Sequence, residues 1–153
     1  SHGWEQDMLD KAIPVHRTAK ADPDEAWEAP NLADFTEDQW ADLTEAEKRR
    51  IANHYVWAET MPPEAFGDLK GPHHKAGRSG VGAVVWRACS SGRMHQMPEI
   101  SDPGVRKHLE AHYHQFDKKA PWEDQDEEDA AQAGMRLYQE FLEQRARVAG
   151  VRV

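Results

Sequence analysis

Five of the nine histidines in this 153-residue chain lie in two short segments, Asp68-Leu69-Lys70-Gly71-Pro72-His73-His74 and His108-Leu109-Glu110-Ala111-His112-Tyr113-His114. Pro72 locks its own φ and drives Gly71 away from helical geometry, so the first segment is irregular backbone. In the second, His108 and His112 are four apart, the spacing at which two side chains leave one face of a helix. A buried imidazole must find a partner for each ring nitrogen, and an irregular loop must do the same for its backbone groups. One arrangement meets both demands: the histidines rivet the loop onto the helix over 102–117. A second reading uses His73, His74, His108 and His112 as metal ligands or acid/base groups. It lacks a His-Glu-x-x-His pattern, and His112 falls on the apolar stripe itself. The structural reading is preferred, with no metal, no cofactor and no catalytic residue assigned.

The length suits one domain with one core. Hydrophobic residues make up 39% of the chain and charged residues 31%, so the six tryptophans must supply much of the core volume. The single cysteine, Cys89, excludes internal disulfides and cysteine-rich zinc sites. It lies on an apolar helical face, where a thiol is inert packing. No apolar run reaches membrane-spanning length, which points to a soluble protein. The chain begins Ser1-His2-Gly3-Trp4 without Met, as expected of a processed product or an excised domain. Of the net charge of −9, residues 67–119 carry nine Lys/Arg against five Asp/Glu, a formal +4; the flanks carry ten against twenty-three, a formal −13. A basic middle between acidic ends favours a protein partner, and +4 is too weak a phosphate footprint for nucleic acid.

Along the chain, residues 1–35 hold Pro14, Pro23 and Pro30 with isolated large anchors, and read as an extended arm. Trp4, Ile13 and Trp27 of this arm, with Trp40 beyond it, are the expected partner-binding side chains. Residues 36–122 form the expected helical core. Thr36-Glu37-Asp38-Gln39 and Thr44-Glu45-Ala46-Glu47 fit the capping box, which predicts a short helix over 37–43 and a longer one over 45–59. The span 66–80 is loop or short extended structure. Val81, Val84, Val85, Ala88 and Cys89 recur at helical spacing, predicting a helix to about Met97, with Gly92 in its interior as a weak point. Ser101-Asp102-Pro103 starts a further helix, with Val105, Leu109, His112 and Phe116 on one stripe. Residues 123–153 form an acidic start and a terminal helix, with Leu137, Tyr138, Phe141 and Leu142 at helical spacing. The fold class is therefore mainly α with little β. No nucleophile elbow surrounds Ser90-Ser91, and Gly77-x-x-Gly80-x-Gly82 lacks the Lys-Ser/Thr of a phosphate loop.

Several of these segments in order resemble a known pattern. Ala12-Ile13-Pro14-Val15-His16 with Thr18 and Trp27-Glu28-Ala29-Pro30 is similar to the opening of a small domain of tailed-phage head proteins. Tyr55-Val56-Trp57, Asp68 to His74, Val85-Trp86-Arg87-Ala88-Cys89, Val105-x-x-His108-Leu109-x-x-His112 and Pro121-Trp122-Glu123 resemble its later motifs. That domain occurs beside or fused to the prohead proteases and capsid proteins of HK97-type phages, and the resemblance spans roughly residues 10–123. Gly71 departs from the apolar residue usual before Pro-His-His. The resemblance implies a decoration, minor capsid or assembly protein in the virion, or in the host cytoplasm during assembly. Its partners would be the major capsid protein or other head proteins, with copies of itself on the lattice. The strand-rich protease domain is not expected. The alternatives are a metal-dependent hydrolase or nuclease at the four histidines, and a phage regulator that binds a host protein through its acidic face.

Overall fold

A computed structural model describes residues 11–148, the side chains of 125–127 excepted, and divides the chain into two compact units, 1–118 and 119–153. The fold is mainly α with one small sheet. In the first unit, α1 (Glu45–Ala52), α2 (Trp86–Cys89), α3 (Gly92–Gln96) and α4 (Pro103–Gln115) are linked by 3-10 turns and loops. Strands β1 (Trp57–Ala58) and β2 (Leu69–Lys70) pair antiparallel, Trp57 opposite Lys70 and Ala58 opposite Leu69. Among the described residues the second unit holds one long helix, α5 (Pro121–Val148). No helix among the described residues is long and apolar enough to cross a membrane.

Local chemistry sets these boundaries. Thr44 caps α1, its hydroxyl accepting from the Glu47 N–H at 3.2 Å. Asp102 caps α4 through the Gly104 N–H at 2.7 Å, with Pro103 in the first turn. Asp117, at φ 57°, ends that helix in the left-handed conformation that Asp tolerates better than most side chains. Two expected helices are shorter than their patterns. Over 37–43 only a 3-10 turn, Trp40–Asp42, forms, and α1 stops at Ala52. The run from 81 to 97 is not one helix: Val84 bridges to Lys20 and to His74, and the chain turns between α2 and α3. There Ser91 accepts from Met94 N–H and donates to the Ala88 carbonyl, starting a new helix where an interior glycine would have weakened a continuous one.

Residues 11–35 wrap their own domain. Ile13 N–H donates to Val56 O at 2.8 Å, Ala58 N–H to Lys11 O at 3.0 Å, and Ala21 N–H to Val84 O at 2.8 Å. Ile13, Phe35, Trp40, Leu43, Ile51 and Tyr55 share one buried cluster, so Ile13 and Trp40 are core residues. The expectation that they bind a partner is corrected on this point. Trp40 also donates its indole N–H to Pro63 O at 3.0 Å, which satisfies the polar end of the ring inside. Val84, Val85, Ala88 and Cys89 and, on α4, Val105 and Leu109 are buried as well. Five histidines are buried with them.

Candidate functional site

His54, His73, His74, His108 and His112 are all buried, at 0–3% exposure. Three of them converge. The Nε2 atoms of His73, His108 and His112 are 3.1 Å apart in every pair. Each arrives from a different constraint. His73 sits on the loop, where its N–H donates to His54 O and Val85 N–H donates to its carbonyl at 2.8 Å. His108 and His112 are one turn apart on the inner face of α4.

The opposite edge of each ring decides where its proton is. Nδ1 of His73 faces the Gly71 carbonyl at 2.9 Å, Nδ1 of His108 faces the Ile13 carbonyl, and Nδ1 of His112 faces Oε1 of Gln115 at 2.7 Å. The Gln115 amide is oriented by its own NH2, which donates to the Thr18 carbonyl at 2.9 Å. All three Nδ1 partners are acceptors, so each Nδ1 carries the hydrogen and donates it. Each neutral ring therefore turns a bare Nε2 lone pair toward the common centre. Burial, then the neighbouring imidazoles, hold His73 well below its ordinary value; burial lowers His108 to about 4 and also lowers His112. The charged form that could place a proton between these nitrogens is disfavoured.

His74 does not join them. Its Nδ1 donates to the Gly82 carbonyl at 2.8 Å, and burial depresses it to about 3. The Nε2 atoms of His54 and His74 are buried without a hydrogen-bond partner among the described residues. The four-histidine set read from the sequence is thus three converging rings and one that holds the 74–82 loop. Gly71 is part of the same device. It has φ +74°, and a Cβ there would collide with Val56 and press on the Met94 sulfur, so its carbonyl reaches His73 only because it has no side chain. Gln115 escaped the sequence reading; its place three residues after His112 was the available signal.

Among the other expected partner-binding residues, Trp4 lies outside the described residues. Trp27 is half-buried and lines an open groove of about 280 Å³ with Leu69, Pro72, Met94 and Met97. His108 also lines a second depression, with Ala12, Ile13, Pro14, Val15 and Lys107. The basic loop is anchored from α1. Arg50 donates to the carbonyls of Gly77, Gly80 and Phe35 at 2.9–3.1 Å and to Glu47.

In comparisons with known proteins, no family model, no curated protein and no solved structure matches this chain.

Proposed function

We propose that this chain is a structural protein of tailed-phage heads, a decoration, minor capsid or assembly component that binds the major capsid protein and catalyses nothing. The observation that carries this reading is the apolar stripe of α5. Met135, Leu137, Tyr138, Phe141 and Leu142 are 42–65% exposed and Val148 is 84% exposed. At about 100° per residue they cover roughly 160° of the helix circumference, the width of a face made to pack. Large apolar side chains left uncovered in one stripe mark a protein-binding surface. A helix laid into a groove on its partner is the recognition mode they fit. Trp27 and its groove offer a second foothold on the first unit.

The motif resemblance supplies the identity of the partner. Its motifs from Ile13 to His112 are framework here: Ile13 accepts from His108, His73 meets His108 and His112, and Val85 holds the His73 carbonyl. A set of residues devoted to holding segments together suits a binding module better than a hydrolase, whose catalytic groups must be open to substrate. The protein would accordingly be found in the virion and, during assembly, in the host cytoplasm.

The test is co-sedimentation of the purified chain with particles assembled from the source phage's capsid protein, alongside mass spectrometry of intact heads. Binding at a fixed ratio to capsid subunits is expected, and the double substitution Leu137→Asp with Phe141→Asp is expected to abolish it without shifting the main thermal transition. Heads that lack the chain, together with no binding to assembled particles, would sink the proposal.

A further inference from the structure

We propose that His73, His108 and His112 bind a single zinc-class divalent cation through their Nε2 atoms. Three lone pairs aimed at one point, with every Nδ1 hydrogen already committed to a carbonyl oxygen, repel one another unless something between them accepts electrons. Rotating a proton onto any one Nε2 would strip the hydrogen from its Nδ1. That lone pair would then face Gly71 O, Ile13 O or Gln115 Oε1, and one clash would replace another. A metal ion removes both.

The dimensions suit the ion. Three nitrogens 3.1 Å apart form a triangle whose centre is about 1.8 Å from each, since 3.1 divided by √3 is about 1.8. At the usual zinc–nitrogen distance of about 2.0–2.1 Å the ion sits about 1 Å off that plane, with N–metal–N angles of about 98°. This is slightly compressed from tetrahedral. Three imidazoles are a donor set for zinc and its late first-row neighbours, and a poor one for magnesium or calcium. Each ligand also donates its second ring nitrogen to an oxygen, the arrangement that orients metal-bound histidine and raises its basicity. Among the described residues no other group of histidine, cysteine or carboxylate side chains converges in this way.

The ion would tie three stretches of chain that lie far apart in sequence. His108 brings in the arm through Ile13, His112 brings in Thr18 by way of Gln115, and His73 brings in the glycine-rich loop. It is a structural centre, and it stands independently of the capsid reading.

The test uses the full chain, produced without a polyhistidine tag and purified without chelator. Elemental analysis is expected to find about one zinc per chain. Stripped protein titrated with zinc chloride is expected to gain roughly 10 °C in Tm at a thousandfold excess over Kd. Cobalt chloride gives a readout that does not depend on stability, the visible bands of a four- or five-coordinate nitrogen site. His114→Gln, on the exposed side of α4, should keep those bands, and His108→Gln and His112→Gln should each lose them. Protein with less than about a tenth of an equivalent of metal, no cobalt bands and an unmoved Tm would overturn the assignment.

Discussion

Gln115 shows how much one surface-edge residue can decide. Its amide accepts from His112 and donates to Thr18 O, so it sets an imidazole tautomer and fastens the arm at once. Gln115→Ala leaves a donor and an acceptor without partners and is expected to cost about 1–3 kcal/mol in urea unfolding. It should also weaken zinc binding by about 10- to 100-fold. At Gly71 the backbone is the constraint. Gly71→Ala forces a Cβ into the left-handed region and against Val56, with an expected loss of at least about 2 kcal/mol by the same measurement. A loss near zero would mean that the 69–73 loop is not held where His73 requires it.

At the scale of the element, α1 and α3 depend on single hydroxyls. Thr44→Ala and Ser91→Ala each remove a cap and should cost about 1 kcal/mol. The Ser91 change has a further consequence, because that hydroxyl also turns the chain between α2 and α3. Its removal should raise amide exchange at the start of α3 more than at α2, checked by hydrogen-exchange mass spectrometry. In α5 the first turns are acidic and Arg145 and Arg147 stand in the last, an order that favours the helix dipole. The apolar stripe is therefore carried by a helix with its own electrostatic support.

Across the whole molecule, the buried titrating groups couple stability to pH. Burial pushes Cys89 and Tyr113 up to about 12 and raises Tyr55 above its ordinary value. In the unfolded chain these groups lose their protons from about pH 9 to 10, while the folded protein keeps them. The native state then binds more protons, and stability must fall as pH rises beyond about 9, by up to about 1.4 kcal/mol per pH unit for each such group. Denaturant unfolding at a series of alkaline pH values checks the slope; a flat profile would contradict the burial of these three side chains. Cys89 should likewise resist a thiol reagent in native buffer and react fully once the chain is unfolded.

The sequence alone determined those features that depend on neighbours along the chain. Asp102-Pro103 starts α4 and Thr44 starts α1 because a cap needs only the next few residues. The loop and short extended structure over 66–80 follows from its glycines and Pro72, and the mainly α class follows from repeated apolar spacing. Spacing also placed His108 and His112 on one face. It could not say that their Nε2 atoms would meet His73 while His74 turned to Gly82, because that meeting joins rings 35 and 39 residues apart and the His108 ring is turned by a carbonyl 95 residues away. Ile13 and Trp40 looked like anchors for a partner for a related reason. A large side chain in an aperiodic arm or a single short turn carries no mark of which surface will cover it, and here their own domain does. The helix expected across 81–97 gave way to extended bridges at Val84 because pairing with Lys20 and His74 satisfies its backbone there. Local rules wrote the elements, and contacts between distant residues decided which atoms face the centre.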